Sequence, residues 1–221
     1  MQIKAILFDI DGTLVDTNDM HVLAWEKAFA TVGAVFDRQV IHDQIGKGTD
    51  MLVPKLLPDA DKDRQEKLGN THGAIFKAKY LETAKPFTQA HGLLAHAHSL
   101  GQRVVLASSA SAQELEHYID LLEARDLIAA STSSDDVKKT KPAPDIFATA
   151  LGKLSGIDPT EVIVVGDTPY DIEAAKKCGI AAVAVRSGKF RDAHLQSAGA
   201  VAIYDDVAAL LANYATSPLG R

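Results

Sequence analysis

Cysteine is nearly absent from this 221-residue sequence. Cys178 stands alone, so no intrachain disulfide can form, and a reducing compartment is expected. Its place before Gly179 at the end of a helical pattern suits a small packing residue better than a nucleophile. No apolar run approaches bilayer-spanning length, and no basic-then-apolar leader precedes the first strand. Long Lys/Arg runs are missing too. With a formal net charge of -6 and a pI near 5.7, the chain is a poor candidate for nucleic-acid binding. Internal repeats and low-complexity tracts are also absent. These absences leave a soluble, cytoplasmic protein with no nucleic-acid or membrane partner, and a monomer as the default expectation. The length suits one α/β domain carrying an insertion, or two small domains.

What is present is alternation. Ala5 to Phe8 reads as a buried parallel strand. Met20, Leu23, Ala24, Ala28 and Phe29 recur at helical spacing, predicting a helix over Asp16 to Val32 that Gly33 ends. From Phe36 to about Leu81 the pattern is helical without a strand: Arg38 to Ile45, Met51 to Leu57, and Asp61 to Leu81. Gly46-Lys47-Gly48, Pro54 and Pro58 punctuate that block. Alternation then resumes with a helix from Pro86 to Leu100, a strand from Arg103 to Ala107, and a helix from Ser111 to Glu123 opened by a Ser111/Glu114 capping box. Strands follow at Ile128 to Ser131, Val162 to Val165, Ala181 to Val185 and Val201 to Ile203. Between and after them come helices at Pro144 to Leu154, Pro169 to Lys177, Arg191 to Ala198 and Asp205 to Tyr214. Ala215 to Arg221 is expected to fray. The fold expected is α/β: a Rossmann-like, doubly wound parallel sheet core of residues 1–15 and 84–221, with an all-α domain of residues 16–83 inserted.

The chemistry gathers at strand ends. Asp9 and Asp11 follow the first strand, where open α/β sheets place their ligands. Two carboxylates at a buried edge repel unless a cation neutralises them, and Gly12 lets the backbone turn there. Ser108 and Ser109 follow the strand at Arg103 to Ala107. Gly166-Asp167-Thr168-Pro169-Tyr170-Asp171 follows Val162 to Val165, and Lys138-Lys139-Thr140-Lys141-Pro142 lies upstream. A parallel sheet brings all of these to one edge. Carboxylates and carbonyls are hard ligands suited to Mg²⁺, while a hydroxyl, backbone amides and an ammonium can hold phosphate oxygens. One Asp can serve as nucleophile, and a second can move protons.

With these segments in this order, the chain resembles the haloacid dehalogenase superfamily of phosphohydrolases, in the branch of phosphoglycolate phosphatases and β-phosphoglucomutases. The resemblance runs from Ile3 to about Tyr214. It rests on Asp9-Ile10-Asp11-Gly12-Thr13, Ser108, Lys141 in Thr-Lys-Pro, and Gly166 to Asp171. It implies Asp9 as nucleophile and metal ligand, and Asp11 as general acid/base with its backbone carbonyl on Mg²⁺. It implies Thr13 as support for that loop, Ser108 with Ser109 beside it as phosphoryl-binding, and Lys141 as the neutralising cation. Asp167 would be the third metal anchor, with Asp171 in a supporting shell.

The resemblance also implies that the helical insertion is a cap closing over the site. Candidate cap residues that meet substrate are His21, Gly46, Lys47 and Gly48; Trp25 is expected to pack the cap. His91, His96 and His98 lie on a helix far from the motifs, and a solvated face is favoured there over zinc. The resulting expectation is a Mg²⁺-dependent phosphatase acting on a small phosphorylated metabolite through an aspartyl-phosphate. A phosphomutase of the same fold is the main alternative. Asp11 argues against a dehalogenase, and length argues against a phospho-acceptor signalling domain. An intact motif set argues against a non-catalytic binding protein.

Overall fold

The computed structural model describes residues 2–220. Six strands, β1 (Ala5–Phe8), β2 (Arg103–Ala107), β3 (Ile128–Thr132), β4 (Val162–Gly166), β5 (Ala181–Val185) and β6 (Ala202–Tyr204), form one sheet in the order β3-β2-β1-β4-β5-β6. Every pairing is parallel. The innermost strand, β1, sets Leu7 opposite Val105 of β2 on one side and Val164 of β4 on the other. The chain winds outward from β1 to β3 and then crosses back to β4. The strand order therefore reverses between β1 and β4, and that crevice is where such sheets take ligands.

Between β1 and β2 lie α1 (Asn18–Ala30), α2 (Arg38–His42), α3 (Thr49–Leu56), α4 (Lys62–Lys79) and α5 (Ala90–Ser99). The remaining helices are α6 (Ala112–Leu121), α7 (Asp145–Gly152), α8 (Pro169–Lys177), α9 (Asp192–Ala198) and α10 (Val207–Ala212). Alternate residues of each strand feed opposite cores. Ile6, Phe8, Val104, Leu106 and Val165 join α5, α6 and α10. Leu7, Val105, Val164 and Ala184 join α7, α8 and α9. Strands covered on both faces must be apolar at nearly every position, which is why β1 reads Ala-Ile-Leu-Phe.

Helices α1 to α4 bury a third cluster among themselves, including Val22, Trp25, Phe29, Ile41, Leu52 and Leu68. Trp25 packs as expected, its ring 5.3 Å from that of Phe29 and 4.2 Å from that of His72. Asp61 caps α4 by accepting from the Arg64 amide at 2.8 Å. Pro54 sits inside α3, as the helix expected over Met51 to Leu57 requires. Among the described residues, no helix is long and apolar enough to cross a membrane.

Two boundaries differ from expectation. The helix expected from Pro86 starts at Ala90, because Pro86 bridges Val15 in extended conformation. The flanking bonds from Asp16 N to Lys85 O and from Phe87 N to Leu14 O, both 2.9 Å, tie together the points where the chain leaves and rejoins the sheet. The tail also does not fray. Tyr214–Thr216 and Pro218–Gly220 form 3-10 turns, and Ser217 and Leu219 are fully buried. Gln102 explains this: its amide donates to the Leu219 carbonyl at 2.8 Å and its oxygen accepts from the Tyr214 hydroxyl. Arg221 lies outside the described residues.

Candidate active site

The sequence Asp9-Ile10-Asp11-Gly12-Thr13 leaves β1 and reverses at Gly12, whose φ is 80°. A side chain there would be strained and would collide with Asn18 and Asp167. The tight turn sends Asp9 and Asp11 to different surroundings.

Asp9 points into the crevice and is 2% exposed. Its Oδ1 pairs with the Nζ of Lys141. Lys141, fully buried, lies 2.7 Å from Asp171 Oδ1 on its other side. Asp171 belongs to a capping box that opens α8, its Oδ2 accepting from the Thr168 hydroxyl at 2.6 Å and the Thr168 amide at 3.1 Å. Asp167, at the end of β4, accepts from Thr13 Oγ1 at 3.0 Å and from Asn18 Nδ2 at 2.9 Å. Gly188 presses so closely on Asp167 that a methyl group there would overlap its carboxylate.

Three buried carboxylates against one ammonium leave two excess negative charges when all are ionised. Burial dominates Asp9 and, despite Lys141, pushes it from 3.8 up to about 7, with Asp171 and Asp11 adding repulsion. Burial, then Asp9 and Asp171, raise Asp167 well above the carboxylate range. Burial works against the Lys141 charge, yet Asp171 and Asp9 hold it above the ordinary lysine range. Carboxylate oxygens of Asp9, Asp167 and Asp171 lie within 4.8 Å of one another. An all-oxygen set with two charges to cancel fits a hard divalent cation, and Asn18 Oδ1 beside it is buried without a partner among the described residues.

Asp11 stands apart. One oxygen, Oδ1, accepts from Thr17 Oγ1 at 2.6 Å and from the Tyr118 hydroxyl at 2.9 Å, and faces His21 Nε2 at 3.1 Å. Ser108 Oγ lies 3.5 Å from Oδ2. Burial would raise this carboxyl, but the His21 charge and the bonds from His21, Thr17 and Tyr118 overturn that and bring it to about 2.

The α1–α4 layer closes one side. Thr140, next to Lys141, donates its amide to Asp50 Oδ2 at 3.0 Å and its hydroxyl to Asp50 Oδ1, while its oxygen accepts from Gly48 N at 2.8 Å. Ser109 Oγ donates to the Gly46 carbonyl at 3.2 Å, and His42 Nε2 donates to the Gly188 carbonyl at 2.9 Å. Between layer and sheet edge lies a cavity of about 600 Å³, with Asp9, Asp11 and Lys141 at its floor and Lys47, Asn70 and His72 on its wall.

Most residues singled out in the sequence meet here. Asp9, Lys141, Asp167, Asp171 and Thr13 form one bonded group, and Asp11, His21 and Ser108 form a second. His21 is 9% exposed, with its ring stacked 3.9 Å from Phe76. Lys47 reaches the cavity wall, but its ammonium lies 4.2 Å over the Tyr170 ring and 2.6 Å from Gln44 Oε1. Ser109 lines the same cavity, its hydroxyl on the Gly46 carbonyl. His91 and His98, both exposed, donate to the carbonyls of Leu122 and Leu127. Thr17, Asn18, Asp50, His72, Tyr118 and Gly188 were not legible as site residues. Thr17 and Asn18 follow the first motif directly and could have been found by proximity; the others come from helices or turns whose approach only the tertiary fold decides.

A sheet edge of this kind gathers carboxylates where α/β enzymes place their ligands. The sequence model of the haloacid dehalogenase-like hydrolases matches residues 6–185, and the chain belongs to that family of enzymes. Its relatives include the fructose-1-phosphate phosphatase YqaB of Escherichia coli, 29% identical over 190 residues, covering 82% of this chain and 95% of that protein. Another is a phosphoglycolate phosphatase of Aquifex aeolicus, 29% identical over 181 residues, covering 80% of this chain and 81% of that protein. Among solved structures, a hydrolase from Pseudomonas syringae superposes with a TM-score of 0.90 at 26% identity, covering 96% of this chain and 98% of that one.

Proposed function

We propose that the protein is a Mg²⁺-dependent phosphatase of small phosphomonoesters, of the phosphoglycolate or sugar phosphate type, working through an aspartyl-phosphate on Asp9. One observation carries this reading: the buried Asp9, Asp167 and Asp171 around a single Lys141, with Asp11 held separately two residues on. Phosphatase relatives that act on fructose 1-phosphate and phosphoglycolate support the substrate class.

Asp9, Asp167 and the Asp11 backbone carbonyl would hold the magnesium, which supplies charge neutralisation for the phosphoryl oxygens. Asp9 attacks phosphorus through one carboxylate oxygen. The bond from phosphorus to the leaving oxygen breaks with its electron pair on that oxygen, which takes a proton from Asp11; the negative charge of the bound phosphate would raise this carboxyl from its low value in the ligand-free site and let it carry that proton. A water then attacks the same phosphorus, giving its proton back to Asp11, and Asp9 leaves as carboxylate. Lys141 offsets charge on Asp9 and the phosphoryl group, Asp171 holds Lys141, and Thr13 holds Asp167. Ser108 and Ser109 would bind phosphoryl oxygens. Residues 16–83 would act as the cap over a core of residues 1–15 and 84–221, carrying His21 to Asp11 and Lys47 to the cavity wall. A closed cap keeps bulk water from the reacting phosphorus. A monomer working in the cytoplasm is part of the same proposal.

The test is phosphate release with Mg²⁺ from phosphoglycolate, hexose 6-phosphates, fructose 1-phosphate, β-glucose 1-phosphate and p-nitrophenyl phosphate, beside Asp9→Asn. Metal-dependent release that vanishes in the variant is the expected result. Conversion of β-glucose 1-phosphate primed by a sugar bisphosphate, without release, would move the assignment to a phosphomutase. Silence in both assays would overturn the activity.

A further inference from the structure

We propose that His72 of α4 is a positioning residue, acting through His21 to hold the carboxyl of Asp11 in place for proton transfer. The inference rests on the reading of Asp11 as the proton donor to the leaving oxygen. Three side chains make the chain of contacts. His72 Nε2 lies 3.2 Å from His21 Nδ1, and His21 Nε2 lies 3.1 Å from Asp11 Oδ1.

The His21 ring is fixed by its neighbours. Phe76 stacks on it at 3.9 Å and 9°, which sets the ring plane. A stack does not distinguish the two orientations related by a half-turn about χ2, because both present the same flat face. That half-turn exchanges each ring nitrogen with a carbon, so a C–H would then face Asp11. The hydrogen bond to His72 adds to the one to Asp11 in breaking the symmetry, since only one orientation also matches nitrogen to nitrogen. A ring nitrogen can donate or accept according to its tautomer, so His72 can face His21 Nδ1 whichever of the two carries the proton.

His72 is itself held. Its ring lies 4.2 Å from that of Trp25 at 13°, and Trp25 belongs to the apolar cluster of the helical layer. Trp25, His72, His21 and Phe76 thus form a slab of near-parallel rings, with angles of 9° to 28° between neighbours. The slab runs from α1 and α4 to the loop after β1. Asp11 is thereby tied to a helix that departs from the sheet and lines the opposite wall of the cavity.

Leaving-group dependence separates positioning from structure. An alkyl phosphate needs its departing oxygen protonated, whereas p-nitrophenolate leaves without help. His72→Phe keeps a ring on Trp25 and removes the nitrogen. It is expected to lower kcat/KM, which reports the steps through departure of the leaving group, about 10-fold on the best alkyl substrate of the panel, a fraction of what general acid catalysis contributes. The kcat/KM on p-nitrophenyl phosphate is expected to stay near the parent's, whereas hydrolysis of the aspartyl-phosphate is common to both substrates and slows both kcat values alike. His72→Gln, whose amide can donate or accept, is expected to recover most of the loss. His72→Leu repeats the removal without a ring, and thermal melting checks that each variant is folded. Equal losses of kcat/KM on both substrates, or no loss on either, would overturn the inference. Asp11→Asn is the reference. If it discriminates between the substrates and His72→Phe does not, the inference fails alone. If Asp11→Asn treats them alike, the reading of Asp11 fails and takes the inference with it.

Discussion

Lys141 Nζ lies 2.7 Å from Asp171 Oδ1 in a pocket where neither side chain is more than 1% exposed. The same ammonium bonds Asp9, so one cation serves two carboxylates. Lys141→Met would leave both unpaired. Removing one partner of a buried pair typically costs about 3–5 kcal/mol, and urea unfolding at neutral pH is expected to show a loss of that size. Phosphate release is expected to fall at least about 100-fold, because the attacking oxygen and the phosphoryl group lose their neutralising charge.

Stability of the metal-free protein is expected to fall as pH rises from about 4 to about 7. Asp9 is raised from 3.8 to about 7, so across that window the folded state binds the proton more tightly than the unfolded chain, and raising pH favours unfolding. Asp167, also raised, adds in the same direction. Asp11, lowered to about 2, acts oppositely and only at lower pH, its contribution being lost as pH falls from about 4 to about 2. Magnesium binding to carboxylates is therefore expected to raise Tm more at about pH 8 than at about pH 5. Melting curves with Mg²⁺ and with a chelator at both values check this.

Gly188→Ala is expected to disable the site while sparing the sheet. The added methyl would overlap the Asp167 carboxylate, and Gly188 also accepts from His42. Overpacking of this kind costs about 1–3 kcal/mol. The sharper sign is a rise in the Mg²⁺ concentration needed for half-maximal phosphate release, because Asp167 is displaced.

Thr140→Val keeps the shape of Thr140 and removes the hydroxyl that joins Gly48 to Asp50. The expected result is a several-fold rise in KM, with a stability loss of about 0.5–1.5 kcal/mol, the net worth of a hydrogen bond between partners that water can still reach. Steady-state kinetics and urea unfolding together check it. Unchanged KM would mean that this tie does not hold the α1–α4 layer over the cavity.

Much of this was legible in the sequence because strands buried on both faces announce themselves. Val162 to Val165 has no reading but a covered strand once Gly166 and Asp167 follow it, and the parallel order then brings Asp9, Ser108, Lys141 and Asp167 to one edge. The tail was not legible. Ser217 and Leu219 carry no periodic signal, and what orders them is Gln102, more than a hundred positions away. His72 and Tyr118 were missed for a similar reason. Each sits at an ordinary helical position, and its meeting with His21 or Asp11 depends on how α4 and α6 pack. Lys47 is held more firmly than a cation in a glycine loop suggests, because its ammonium lies over the Tyr170 ring and beside Gln44.

The order of strands has a consequence for how the molecule comes into being. On the ribosome, β1 is made first, and its neighbours are made roughly a hundred and a hundred and sixty residues later. Until Arg103–Ala107 and then Val162–Gly166 emerge, the apolar Ala-Ile-Leu-Phe has no sheet to join. Contacts this distant in sequence form slowly and leave apolar segments exposed in the meantime. The buried carboxylate cluster is therefore assembled late, when α8 delivers Asp171 to a lysine made thirty residues earlier.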